Sequence, residues 1–302
     1  MEILVKALSL VAIIVVGYTT KKIGWVRASD FPIFSNLVLK VTLPCVLITS
    51  FNDQSLPPGL LFGLAGIGLL ANLVMQMGAV VLERRRGRQA QAFAVLNIPS
   101  FNMGAFATPY LAGFMGPAAV VQASLFDIGN AFGAAGIGYA WSTSLADESR
   151  RVTAGRFVRA MFSSVVFDVY LVLVAMQLFE LRFPAPVITF TETVGAANTF
   201  LAMLMIGIGL EMKLDRARYG LALRYLSVRW ILAALMAVAV WQLPLPQEVR
   251  LLLAMVMFAP IAAMAPGFTQ EIEGDVALST FMTSASILVG IIVMPTILLT
   301  LG

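Results

Sequence analysis

Asn102–Leu111 reads NMGAFATPYL, ten residues that set an amide, a glycine and a Thr-Pro pair inside an otherwise apolar run. The surrounding segment, QAFAVLNIPSFNMGAFATPYLAGF, is long and apolar enough to lie in lipid. Each proline removes a backbone donor and clashes with the preceding turn, and a neighbouring glycine loosens a helix further. Carbonyls and amides freed inside hydrocarbon are costly unless protein or water satisfies them. A second segment, LLLAMVMFAPIAAMAPGFTQEI, carries the same kind of interruption half a chain away, and Pro109 falls on Pro266 when the chain is shifted by 157 residues.

The rest of the composition agrees with a lipid environment. Of 302 residues, 60% are hydrophobic and 12% charged, with a mean hydropathy of +0.91, which is the balance of a polytopic membrane protein and not of a soluble domain. A hydrocarbon core about 30 Å thick needs about 20 apolar residues per helix. Spans of that size fall at roughly 3–20, 32–51, 59–82, 91–113, 117–141, 157–179, 187–210, 220–242, 249–270 and 276–300, which predicts an all-α protein of ten transmembrane helices joined by short loops. The first span, preceded by Glu2 and lacking a small-x-small cleavage site, reads as a retained helix and not a signal peptide. Cys45 is the single cysteine and there is no histidine, so no disulfide, redox or zinc chemistry is expected and no cofactor is implied.

The basic residues orient the spans. Loops after spans 1, 3, 5 and 7 hold Lys21, Lys22, Arg27, Arg84, Arg85, Arg86, Arg88, Arg150, Arg151, Arg156, Arg159, Lys213, Arg216 and Arg218, whereas those after spans 2, 4, 6 and 8 hold Arg182 and Arg250. Fourteen against two places both termini on the extracytoplasmic side of a cell membrane, inner or plasma, and marks the positive charge as an orientation signal and not a nucleic-acid surface. The acidic loop after span 9, with Glu271, Glu273 and Asp275, dissents only weakly. The 157-residue shift also lays span 1 on span 6, 3 on 8, 4 on 9 and 5 on 10. Five spans separate the copies, so the halves are inverted repeats.

Two equivalent breaks, one in each half, point to a polar cavity near the midplane, with half-helix N-termini offering amides and positive dipole ends to an anion. Asn97, Ser100, Asn102 and Thr108 line one side of that expectation and Thr269 and Gln270 the other, with the backbone near Gly104 and Gly267 facing negative charge. A kink without a ligand is the simpler account of either break alone. Charged residues inside spans face a bundle interior and have partners. Asp127, with Asn130 on the same face, Asp168 at mid-span 6 and Lys40 near the middle of span 2 admit two readings: a buried ion pair with Lys40, or a proton- or substrate-linked role. Arg229 reads as snorkelling to the cytoplasmic surface, and Glu271 as a water-exposed helix end that could gate or bind an ion. Gly133–Gly138, GAAGIG, reads as close helix packing and not a nucleotide loop, and the RRRGR run as a solvated loop touching anionic lipid.

Several motifs together resemble the auxin efflux carrier family, within the larger superfamily of bile acid symporters. They are TLPCVL with Pro44, the Asn102-to-Pro109 spacing, FDIGN with Asp127 and Asn130, APIAAMAP followed by QEIEGD, and Pro295 near the C-terminus. The similarity covers essentially the whole chain. It implies ten helices in two inverted five-helix repeats, with spans 4 and 9 crossing at broken points. It further implies a scaffold (1–56 and 146–214) that mediates homodimerisation and a transport core (57–145 and 215–302) that slides in an elevator-like cycle. Asn102, Pro109 and Pro266 are the residues carried over as the substrate site. Thr199 stands near where many relatives have a proline, and Lys40 is unusual at its place, which favours a bacterial-type member handling small carboxylates over an auxin exporter.

The expected function is therefore secondary active transport of a small organic anion, a mono- or dicarboxylate, with Asp127 exchanging a proton. Two alternatives stand beside it: a sodium-coupled symporter with Asn130, Gln270 and Glu271 as Na+ ligands, and a non-transporting membrane receptor or scaffold. An enzyme is not expected, because these residues assemble no nucleophile–base pair or metal cluster.

Overall fold

The computed structural model describes the chain apart from residues 1, 53, 55–56, 148–152, 154, 156–161 and 163. Arg150, Arg151, Arg156 and Arg159, used above for orientation, lie outside the described residues. Among the described residues the regular elements are all helical. Seven segments among the described residues are long and apolar enough to cross a membrane: Ile3–Lys22, Ala28–Asn52, Pro58–Glu83, Met103–Ala146, Ala185–Gly209, Arg216–Trp241 and Val276–Leu301.

The α-helices are α1 (Glu2–Lys22), α2 (Phe31–Leu37), α3 (Leu43–Asn52), α4 (Pro58–Glu83), α5 (Arg88–Asn97), α6 (Thr108–Ala131) and α7 (Tyr139–Ala146), followed by α8 (Val165–Leu178) and α9 (Ala185–Gly195). Then come α10 (Asn198–Gly209), α11 (Tyr219–Trp241), α12 (Gln247–Met257), α13 (Ala265–Glu271) and α14 (Val276–Leu301). Wide π-helical turns join α2 to α3 at Val38–Thr42, precede α6 at Met103–Ala107 and join α6 to α7 at Phe132–Gly138.

Lengths carry information. Met103–Ala146 holds 44 residues, which at 1.5 Å each would be about 66 Å, twice a hydrocarbon core. The chain turns a corner inside it at Gly116, where φ is 75° and ψ −166°, with Pro117 next; a β-carbon disfavours that backbone and proline cannot donate to the preceding turn. In contrast α5 and α12 have only 10 and 11 residues. Each covers about 15 Å, half a bilayer.

The helices fall into two compact units. The first comprises Met1–Leu64, Met103–Leu125 and Ser164–Leu210. Here α1 and α10 approach so closely that a β-carbon at Gly17 would overlap the Leu204 carbonyl, and one at Gly207 would overlap that of Ile14. Small residues let backbones meet in this way where no hydrophobic effect drives helix association. Helix α3 is tied to α9 by Thr49 and Thr191, hydroxyl to hydroxyl at 2.8 Å. At the end of α3, Gln177 Nε2 donates to the carbonyls of Phe51 and Gln54 at 2.6 and 2.8 Å, which satisfies acceptors that a helix terminus leaves open.

The second unit comprises Ala65–Asn102, Phe126–Ser163 and Glu211–Gly302. Gly68 and Gly129 form a reciprocal contact, each so close to the other helix that a β-carbon would strike the Phe126 or the Ala65 carbonyl. In the GAAGIG turn Gly133 lies against Asn72, and Gln76 Nε2 donates to the Gly133 carbonyl at 2.7 Å. That glycine run is packing, as its place in an apolar span suggested. The units do not follow the expected boundaries at 56, 145 and 214. Met103–Leu125 belongs with the first unit because its π turn packs there: a β-carbon on Gly104 would touch Leu43 and Leu39.

Candidate functional site

The two predicted interruptions are present, at other prolines than expected. Helix α5 ends at Asn97 and the chain is helical again from Met103; α12 ends at Met257 and α13 starts at Ala265. Pro99 and Pro260 sit in these non-helical stretches. Neither Pro109 nor Pro266 ends a helix: Pro266 is the second residue of α13, where a missing backbone donor is tolerated, and Pro109 follows directly on the π turn Met103–Ala107, within continuous helix.

Within the second unit the two stretches hold each other. Asn102 N–H donates to the Pro260 carbonyl at 2.8 Å, and Ala262 N–H donates to Ser100 Oγ at 3.3 Å. Ile261 N–H finds Ser286 Oγ of α14 at 2.9 Å. Phe101 is served by a side chain in place of a backbone neighbour. Asn130 Oδ1 accepts from Phe101 N–H at 3.3 Å, and Asn130 Nδ2 donates to the Phe101 carbonyl at 2.9 Å. A carboxamide presents an N–H and a carbonyl oxygen side by side, so Asn130 meets both the N–H and the C=O of Phe101 that the break leaves open, with its second N–H to spare.

Arg229 completes the crossing, and here the sequence expectation fails. It is 2% exposed and does not snorkel: as the eleventh of the 23 residues of α11 it lies about 15 Å from either helix end, beyond the reach of its side chain. Its Nη1 donates to the Ile98 carbonyl, and its Nη2 donates to the Ala259 carbonyl at 2.6 Å. The guanidinium also lies 5.4 Å from the Phe101 ring centroid. Ile98 follows α5 and Ala259 closely follows α12, so one arginine meets the C-terminal ends of both half-helices. Each such end carries about half a negative charge. Two of them balance one guanidinium, and among the described residues no carboxylate pairs with it. The signal available in sequence was its mid-span position, which demands an interior partner.

The expected substrate residues divide into three groups. Asn97 and Thr269 are structural: Asn97 Nδ2 donates to Thr269 Oγ1 at 3.0 Å and to the Phe93 carbonyl at 2.9 Å, while its Oδ1 accepts from Ser279 Oγ at 2.5 Å. This knot joins α5, α13 and α14. Ser100 is likewise engaged in the crossing. Asn102 differs, because its backbone is held but its side-chain amide, on a residue 6% exposed, makes no hydrogen bond among the described residues. Pro266 is half-buried, while Gly267, Gln270 and Glu271 are exposed; Glu271 accepts from the Tyr139 hydroxyl. Beside the crossing, Ser100, Pro99, Met264, Ala265 and Phe268 border a cavity of about 10 Å³, room for roughly one water.

Gly104, Thr108 and Pro109 belong to the first unit. The Thr108 hydroxyl is buried without a partner among the described residues, and the Pro109 carbonyl accepts from Thr199 Oγ1 at 3.4 Å. Asn198, next in sequence to Thr199, accepts from Thr42 at 2.9 Å through Oδ1 and leaves Nδ2 buried and unpartnered. Nothing in the sequence singled out Asn198, which stands at the start of a short helix inside a span.

The intramembrane charges are also rearranged. Lys40 is exposed on the π turn of the first unit, so the buried ion pair considered for it is not the arrangement found. Asp168 lies in the first turn of α8 and not at mid-span, where the N-terminal dipole favours a carboxylate. Asp127 is half-buried and accepts from Asn130 Nδ2 at 2.7 Å, which links a titratable group to the clamp on Phe101. No group of three or more metal-ligating side chains occurs among the described residues. No family model and no curated protein matches the chain.

Proposed function

We propose that the chain is an elevator-type secondary carrier of a small organic anion such as a dicarboxylate, resembling the auxin efflux carriers. Its ten helices would form two inverted five-helix repeats with both termini extracytoplasmic. Paired broken helices near the midplane are the architecture by which secondary transporters expose backbone dipoles to a substrate. The observation that carries this reading is Asn102. Its backbone is fixed to Pro260, while its side-chain amide makes no hydrogen bond among the described residues and so keeps its donors and acceptor available to a ligand.

In this reading the Asn102 amide orients a substrate carboxylate, and Asp127, coupled to the same crossing through Asn130, takes up or releases a proton. The cavity beside Ser100 is too small for a dicarboxylate, so loading requires the exposed Met264 and the half-buried Phe268 to swing aside. Homodimerisation through the scaffold segments 1–56 and 146–214 follows from the family resemblance.

The test is uptake of labelled malate or malonate by proteoliposomes, with and without an imposed pH gradient. Saturable uptake in wild type that falls at least tenfold in Asn102→Ala supports the proposal. No carboxylate flux in wild type, or unchanged flux in the variant, refutes it.

A further inference from the structure

A different part of the second unit carries a second inference, independent of transport. At the end of α4, Val81, Leu82, Arg84, Arg85, Arg86 and Arg224 line an open basin of about 520 Å³. Arg224, which projects from α11, is already committed: its Nη2 lies 2.9 Å from Glu83 Oε1 and donates to the Leu82 carbonyl at 2.9 Å. The Glu83 carboxylate is fully buried, so this pair fixes the floor of the basin. Arg84, Arg85 and Arg86 are exposed around it, and among the described residues none of the three makes an ion pair. The basin therefore presents three exposed guanidinium groups, of which Arg86 also acts electrostatically on the buried Glu83 carboxylate, and their planar forks suit the oxygens of a phosphate.

What leads into the basin indicates the form in which the phosphate arrives. Leu70, Val74, Met77 and Val81 are 61%, 41%, 55% and 57% exposed, and their spacing of four, three and four residues puts them on one face of α4. This face is an apolar track running along a membrane-crossing helix up to the lip of the basin. A free phosphate has no use for such a track, whereas a phospholipid would lay an acyl chain along it with the headgroup at the helix end, where membrane-protein basic pockets meet anionic headgroups.

We propose that this basin is a built site for one anionic phospholipid, its phosphate held by Arg84, Arg85 and Arg86 and one acyl chain lying on Leu70, Val74, Met77 and Val81. The experiment is native mass spectrometry and thermal unfolding of the delipidated protein. It is titrated with phosphatidylglycerol, phosphatidylcholine or inorganic phosphate.

Phosphatidylglycerol is expected to remain bound and raise the melting temperature. Replacing all three arginines by glutamine should weaken it on the order of a hundredfold. Met77→Gln with Val81→Gln should weaken it without altering any charge, and the exposed pair Lys213→Gln with Arg216→Gln should leave it unchanged. Equal retention of phosphatidylcholine, stabilisation by inorganic phosphate alone, or equal loss in the Lys213/Arg216 control overturns the assignment.

Discussion

Replacing Arg229 with methionine tests the physical account of the crossing most directly. Methionine fills much of the same volume without donors, so the Ile98 and Ala259 carbonyls lose their charge-assisted bonds and remain buried. Bonds to charged groups contribute about 1.5–3 kcal/mol each, and orphaned buried acceptors keep their full desolvation penalty. Against this, the variant no longer buries a charge, a relief that can reach several kcal/mol where a whole ionic cluster is replaced by apolar groups. Here only one side of the arrangement is removed, since both helix ends stay in place. A net loss of about 3 kcal/mol is expected. Arg229→Lys should recover about half of it, because one compact ammonium can meet one carbonyl but cannot fork across two. Reversible unfolding in detergent, followed by tryptophan fluorescence against denaturant, measures both. A methionine variant within about 1 kcal/mol of wild type, or a lysine variant equal to wild type, would refute the dipole-balancing role.

Asn130→Ala removes both bonds to the Phe101 backbone, one from Asn72 and one to Asp127, and should cost about 2–4 kcal/mol by the same unfolding assay, with Asn130→Asp, which sets a carboxylate against Asp127 and the Phe101 carbonyl, no more stable than the alanine variant. Asn102→Ala should change stability by less than about 1 kcal/mol, since the side chain makes no bond to lose, while abolishing carboxylate uptake; a large loss of stability would mark Asn102 as structural. Gly207→Val should destabilise by several kcal/mol, because its β-carbon would overlap the backbone of α1. Gly220→Ala, with open space around it, should be neutral or stabilising by up to about 1 kcal/mol, and thermal melts of the two side by side test that contrast.

The helices were legible because apolar length is written directly in sequence, and the two breaks were legible because proline leaves a local mark. Which proline breaks a helix was not. Pro260 and Pro266 look alike in a string, and only the location of a helix start separates a first-turn proline from an interrupting one. Asn97, Ser100, Asn102 and Thr269 lie in one unit, but their roles depend on pairing at a distance. Asn97 meets Ser279 and Thr269 across more than 170 positions, and that closure turns an expected ligand into a structural knot. Arg229 escaped for the same reason, since its partners are carbonyls, which every residue possesses and no sequence pattern displays. Asp168 was misplaced because an apolar window cannot fix the residue at which a helix begins.

The arginine set between two helix ends has an electrical consequence for the proposed carriage of an anion. Helix dipoles stabilise the guanidinium but carry no net charge, so Arg229 keeps its unit positive charge, and an ionised Asp127 in the same unit offsets it. A monoanion moving with that unit would then feel the full membrane field, about 2.3 kcal/mol for each 100 mV, whereas with a proton on Asp127 the Arg229 charge would cancel that of the substrate. Uptake into vesicles clamped at an interior-positive potential should accelerate at a pH where Asp127 stays ionised, and become indifferent to voltage where it is protonated.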